Sequence, residues 1–384
     1  MTSIALVHEW FTALAGSERV VEQFCKLYPD ADLHAIYAEP EVVAATDYLK
    51  NRRLKTSFIK HLPGTAQHFR SYLLLMPLAV EQFDLSPYEL VISSNHAAAK
   101  GVLTGPDQLH ISYVHTPIRY AWDLQHQYLR ESGLSSGVKG WIAKWMLHKM
   151  RIWDYRTAAG VDHFVANSKY IARRIRKVYG RHADVVYPPV DVSKFPLRRQ
   201  KDTFYLTASR LVPYKKIDLI VSAFARMPER RLVVVGDGPE ADKIKSRASP
   251  NVELLGYQPF EVLQDLMQRA RAFVFAAEED FGIIPVEAQA AGTPVIALGK
   301  GGALETVHGL GAEHPTGVFF EQQTEEDLIR AVRTFEAHEG EFEPERCRDN
   351  ALRFSAARFR EEFSTYVAGR LDEFNATARK RKCG

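Results

Sequence analysis

Apolar residues along the chain fall into short unbroken runs, separated by stretches where they return every third or fourth position. Ser3–Trp10, Leu33–Ala38, Leu90–Ser94, His110–His115 and His163–Asn167 are such runs. Runs of this length without alternation predict strands covered on both faces, as in a parallel sheet. Between the first two, a Gly16-Ser17 turn leads into Val20, Val21, Phe24, Leu27 and Tyr28 at helical spacing. A longer helix is predicted over about Lys139–Ala159, where Trp141, Trp145, Leu147 and Ile152 sit among lysines and arginines. Core packing is the expected use of those apolar positions, with the basic positions facing water.

Near mid-chain, Tyr187-Pro188-Pro189-Val190-Asp191-Val192-Ser193-Lys194-Phe195-Pro196 breaks the alternation. Proline lacks an amide donor and pushes its predecessor towards extended backbone, which predicts a semi-rigid connector. Beyond it the pattern restarts, with strands predicted at Thr203–Ser209, Arg231–Gly236, Val252–Gly256, Ala272–Ala277 and Pro294–Leu298 and helices between them. The expected fold class is α/β, two Rossmann-like doubly wound lobes with a ligand crevice at the carboxyl ends of their strands. The expected organisation is an N-terminal lobe over 1–187, a connector over 188–199 and a C-terminal lobe over 200–355. A helix over 356–384 is expected to pack back towards the N-terminal lobe and to end in the basic tail Arg379-Lys380-Arg381-Lys382.

Composition narrows the class. Of 384 residues, 46% are hydrophobic and 25% charged, which excludes a disordered chain. Cys25, Cys347 and Cys383 lie too far apart for a disulfide framework or a Cys-based zinc site. The longest near-apolar run, Tyr72–Val80, is half of what crosses a bilayer, and the N-terminus meets a charge too early for a signal peptide. A cytoplasmic chain is the expectation.

The formal charge of +3 hides an asymmetry. Residues 1–50 hold 3 basic and 8 acidic side chains, residues 51–181 hold 19 and 8. An anionic partner for the first lobe is one reading, a solvated basic surface the other. In Lys55–Val80, Lys55, Lys60 and Arg70 neighbour Phe58, Phe69, Tyr72, Leu73, Leu74 and Met76, a candidate for peripheral contact with anionic membrane. Burial of Leu73–Met76 in the lobe is the competing account. No nucleic-acid-binding motif accompanies the basic stretch, so nucleic acid is not an expected partner.

The chemistry-bearing strings follow strands. Glu279-Asp280-Phe281-Gly282-Ile283-Ile284-Pro285-Val286-Glu287 comes after the apolar run Ala272–Ala277 and opens a helix. Gly282 permits close backbone approach, Pro285 suits a first helical turn, and free amides at a helix start attract an anion. Glu279 and Glu287 then flank one ligand, although a helix dipole alone accounts for either carboxylate. Arg210 and Lys215, in the turn after Thr203–Ser209, are placed to neutralise a diphosphate. His115 closes its strand at the end that faces a crevice, and Gly16, followed by an N-capping Ser17, presents amides to a phosphate. The glycine turns Gly236-Asp237-Gly238-Pro239 and Gly299-Lys300-Gly301-Gly302 either approach a ligand or turn the chain. Asp30-Ala31-Asp32 matches a D-x-D metal signature but reads better as a capped turn.

Together these strings resemble the retaining glycosyltransferases of family 4, which have the GT-B fold. The E-x7-E motif is met by Glu279 and Glu287, R-x4-K by Arg210 and Lys215, and the interlobe segment by Pro188-Pro189-Val190-Asp191. Val91–Val102, His115–Asp123 and Ser209–Asp218 are similar to a bacterial mannosyltransferase branch of O-antigen or exopolysaccharide assembly. The resemblance implies that Arg210 and Lys215 hold the donor diphosphate and that Glu287 binds the ribose hydroxyls. It gives Glu279 and the amides of Phe281, Gly282 and Ile283 the donor sugar and its phosphate, His115 the sugar, and Gly16 the diphosphate. It implies same-face transfer in which the departing phosphate accepts the proton, with no metal and no cofactor. Ala15 and Lys216 depart from the pattern, standing where glycine is frequent.

The reaction expected is transfer of mannose from GDP-mannose to a lipid-linked or oligosaccharide acceptor, a glycan or lipid diphosphate. The same machinery with another nucleotide sugar, and a non-catalytic nucleotide-sugar-binding subunit, are the alternatives.

Overall fold

The computed structural model describes residues 2–13 and 15–383, leaving out the side chains of Gln67, Arg70 and residues 378–383. The basic tail expected at 379–382 and the Arg70 side chain therefore lie outside the described residues. The chain divides into two compact units, Met1–Pro189 with Phe359–Gly384, and Val190–Arg358.

The first unit holds a seven-stranded parallel sheet. Its strands are β1 (Ile4–Phe11), β2 (Asp32–Ala38), β3 (Leu54–Thr56), β4 (Leu90–Asn95), β5 (Leu109–Val114), β6 (His163–Ala166) and β7 (Ala183–Val185), in the order β3-β2-β1-β4-β5-β6-β7. Every residue of β4 and β5 is buried, which is why their sequences are continuous apolar and small-polar runs. The winding reverses between β1 and β4, where Leu6 is paired with Leu33 on one side and Ile92 on the other. The helix Ala356–Cys383 completes this unit's core. Phe363 packs on Phe24 with ring centroids 4.5 Å apart, and Phe359 lies 5.8 Å from Tyr113.

The second unit is a six-stranded parallel sheet of β8 (Tyr205–Ala208), β9 (Leu232–Val235), β10 (Val252–Gly256), β11 (Ala272–Phe275), β12 (Val295–Leu298) and β13 (Gly317–Phe320), in the order β10-β9-β8-β11-β12-β13. Here the winding reverses between β8 and β11, and loops at such a reversal diverge to leave a ligand crevice at the strands' carboxyl ends. The proline-rich segment does not hang free from Val190 onward. The Val190 amide donates to the Phe354 carbonyl at 2.8 Å, and Val190, Val192 and Phe195 are buried. The Arg348 guanidinium adds bonds to the Val192 and Ala290 carbonyls.

One expectation fails. The helix Gly137–Thr157 buries Gly140, Leu147, Met150 and Asp154, but Trp141 is 68% exposed and Trp145 47%. Apolar periodicity does not say which side of a helix meets the core, and here a second apolar stripe faces water. In the Lys55–Val80 stretch the outcome is mixed: Met76 and Phe69 are buried, while Phe58, Leu74 and Leu75 are exposed.

Candidate active site

In the second unit, the loops after the neighbouring strands β8 and β11 carry the predicted donor-binding residues. Gly282 takes a left-handed backbone (φ +83°) and caps the helix Ile283–Ala290, a conformation that costs glycine nothing. Phe281, Pro285 and Glu287 are buried and Glu279 is partly exposed. The Lys215 ammonium is ion-paired with the Glu279 carboxylate, so two of the predicted residues meet directly. Arg210 is exposed, and its guanidinium has no partner among the described residues. Of these two predicted cations, Arg210 is free of an internal carboxylate and Lys215 is held by one.

Both glycine turns prove to be clamps on these loops. A Cβ at Gly301 would lie 2.3 Å from the Glu279 carbonyl oxygen, and one at Gly302 would lie 2.3 Å from the Phe281 Cα. The Gly302 amide donates to the Glu279 carbonyl at 2.8 Å. Likewise a Cβ at Gly236 would strike the Ser209 carbonyl, next to Arg210, and the Leu211 amide donates to Asp237. Backbone packed on backbone fixes both loops without using the side chains. Lys216 is the one non-glycine residue with positive φ (+57°) among the described residues. That explains why glycine suits this position: the left-handed region costs an ordinary L-residue about 1–2 kcal/mol.

In the first unit, the helix Gly16–Leu27 follows β1. Its N-cap is Ala15, not Ser17, whose hydroxyl instead donates to the Glu18 carboxylate at 2.9 Å. Glu18 also accepts the Ala15 amide at 3.1 Å, half of a capping box. Gly16 is therefore the first helical residue, with the cap satisfied by Glu18.

His115 lies just beyond β5, half-buried, with its amide bonded to the Asn95 carbonyl and its carbonyl to the Asn167 side chain. Its Nε2 is 2.8 Å from Ser94 Oγ, and the same hydroxyl is 3.1 Å from Nδ1 of His8, a fully buried residue of β1. His8 Nε2 in turn faces Glu18 Oε1 at 3.6 Å, long for a hydrogen bond but close for an ion pair. Burial works against the Glu18 charge, but His8 and Ser17 outweigh it and hold its carboxyl down to about 2. Burial, with His96 and His8 nearby, pushes the His115 imidazole well below the usual histidine range, so it is neutral near pH 7. An ionised Glu18 favours the proton on His8 Nε2. Ser94 then donates to His8 Nδ1 and accepts His115 Nε2–H. His115 is left with Nδ1 as an acceptor, and Nδ1 has no partner among the described residues.

The sequence reading missed His8, Glu18 and Ser94, and with them Glu9. Fully buried, Glu9 accepts the amides of His96, Ala97, Ala98 and Ala99 at 2.7–3.0 Å and fixes the loop after β4. Burial opposes its charge, while His96 and those amides lower its pKa overall. The available signal was His8-Glu9 itself, two ionisable residues inside an otherwise apolar strand. Asp32 of the D-x-D string accepts the Tyr88 hydroxyl at 2.5 Å and lies 3.8 Å from Lys55.

Two parallel, doubly wound sheets in one chain are the architecture of the GT-B class. Two family models follow one another along the chain: Glycosyltransferase Family 4 over residues 14–194, and Glycosyl transferases group 1 over residues 191–354. The chain belongs to the family 4/group 1 GT-B glycosyltransferases. A sucrose-phosphate synthase from Thermosynechococcus elongatus shares the fold with a TM-score of 0.71 at 15% identity, covering 97% of this chain and 100% of that one. Anabaena Alr3699/HepE, solved in complex with UDP, has a TM-score of 0.69 at 17% identity, covering 96% and 100%. In sequence, the GDP-mannose-dependent monoacylated alpha-(1-6)-phosphatidylinositol monomannoside mannosyltransferase of Corynebacterium glutamicum is 33% identical over 38% of this chain. That match spans 47% of the relative, and the chain spans less than half the length of the first curated relatives it matches.

Proposed function

We propose that this chain is a retaining hexosyltransferase that moves mannose from GDP-mannose to a lipid-linked or oligosaccharide acceptor in bacterial surface polysaccharide synthesis. The observation that carries the reading is the cluster of Lys215 paired with Glu279, unpartnered Arg210 and the Gly282-capped helix start. Leaving of a nucleoside diphosphate builds negative charge on phosphate and positive charge on the anomeric carbon. Arg210, Lys215 and the amides of Phe281, Gly282 and Ile283 favour that separation electrostatically, without a protein nucleophile and with no need of a divalent metal. Glu279 would exchange Lys215 for a donor-sugar hydroxyl, Glu287 would take the ribose, Gly16 would adjoin the diphosphate, and His115 Nδ1 would accept from a sugar hydroxyl. The choice of mannose and GDP is supported by the activity for which the Corynebacterium relative is named.

A panel of radiolabelled nucleotide sugars tests the donor, with EDTA present to test metal independence. Transfer from GDP-mannose, reduced about 10²–10³-fold in Arg210→Ala and Glu279→Ala, is the expected result. Absence of transfer from GDP-mannose overturns the donor assignment, and full activity in both variants overturns the site.

A further inference from the structure

We propose that the outward face of the helix Gly137–Thr157 is a docking surface for an anionic lipid bilayer, on which the helix lies in the plane of the headgroups. Val138, Trp141, Ile142, Trp145 and Ile152 are all exposed, Val138 by 77%, and each lies three, four or seven residues from another of the set. At 3.6 residues per turn these steps draw one stripe along the length of the helix. Exposed Lys139, Lys144, Lys149 and Arg156 are interleaved with it. The helix has a single acidic residue, Asp154, which is fully buried, ion-paired with Lys100 and bonded to the Trp122 indole. The outward face therefore carries aromatic, aliphatic and cationic groups and no carboxylate.

The opposite face holds the helix firmly in the unit. Leu147 and Met150 are buried, the Trp153 indole donates to Glu81 at 2.7 Å, and Arg151 bonds to the Ala121 carbonyl. An anchored helix that presents tryptophans to water is not explained by its own unit's packing.

Charge decides between occupants. A second copy would bring like-charged lysines face to face, whereas an anionic headgroup layer complements them and receives the tryptophan rings at the apolar boundary. Among the described residues no helix is long and apolar enough to cross a membrane, so contact would be interfacial. This inference does not rest on the donor assignment.

The test is co-sedimentation of the full chain with phosphatidylcholine vesicles, with and without phosphatidylglycerol. Binding is expected only with the anionic lipid and is expected to weaken with salt. Lys139→Gln/Lys144→Gln/Lys149→Gln should weaken binding about a hundredfold, and Trp141→Ser/Trp145→Ser should abolish it. The wild-type chain should also show quenching of tryptophan emission by brominated lipid, a readout independent of how the variants fold. No binding, equal binding to neutral vesicles, or binding untouched by either variant overturns the proposal. So does a dimer that Trp141→Ser/Trp145→Ser dissociates in the absence of vesicle binding, which would assign the face to a second copy.

Discussion

Replacing Ser94 by alanine should disconnect His115 from the buried pair His8–Glu18. One hydroxyl serves two ring nitrogens, at 3.1 Å on His8 and 2.8 Å on His115. His8 is fully buried, so its Nδ1 loses its partner with no water to replace it, a loss that typically costs about 1–3 kcal/mol. His115 is half-buried and recovers part of its loss from solvent. The sum is a destabilisation of about 2–4 kcal/mol, large enough to read from urea unfolding. The second readout is the His115 ring itself, followed by nitrogen–proton correlation spectra. In the wild-type chain the proton should sit on Nε2, and in Ser94→Ala the two tautomers should mix. Unfolding at the wild-type urea concentration together with an unchanged His115 tautomer would refute the argument and leave these contacts as incidental packing.

Gly302→Ala should weaken donor binding or slow transfer about a hundredfold without touching a ligand, because its Cβ would displace Phe281 from 2.3 Å; calorimetric titration with the donor nucleotide measures it. Lys216→Gly should stabilise the second unit by about 1 kcal/mol in thermal unfolding, since it relieves the φ of +57°. Unchanged transfer in that variant would show that Lys216 takes no part in the cation role of Arg210 and Lys215. The first unit should lose stability in mild acid. Burial holds both His34 and His110 down at about 4, so they stay neutral when folded, while the unfolded chain takes up their protons below about 6.5. Stability is therefore full above that pH and falls towards pH 4, by about 4 kcal/mol for the two rings together at pH 5. The lowered Glu18 carboxyl adds its loss further down, between its ordinary value of 4.5 and about 2. A urea midpoint that is flat from pH 7 to 5 would contradict this.

What the sequence made legible follows from burial. Central strands such as β4 and β11 are covered on both faces and read as apolar runs. The strands that escaped notice, β3, β7 and β13, are all sheet edges of three or four residues. With one neighbour each, they are too short to form a run, and Lys55 and Asp184 interrupt two of them. The Glu279–Glu287 string was visible because a loop that must place amides and carboxylates constrains consecutive residues. The Glu18–His8–Ser94–His115 chain joins four separate segments, and only the sheet order β1-β4-β5, with the helix that follows β1, brings them together. The outward stripe of the helix Gly137–Thr157 escaped for another reason: periodicity records that apolar positions align, not what they align against.

The helix Ala356–Cys383 has a consequence for synthesis. Phe359, Phe363 and Val367 belong to the same core as Phe24, Leu33 and Tyr113, yet they are translated after the whole of the second unit. A ribosome that has produced residues 1–189 has made every strand of the first sheet but not the rings that cover one of its faces. During the interval in which the second unit is made, that face has the helix Gly16–Leu27 on it but lacks the cover that Phe359, Phe363 and Val367 add. The order of translation and the order of core completion thus run in opposite senses. The first unit to leave the ribosome is the last to be finished.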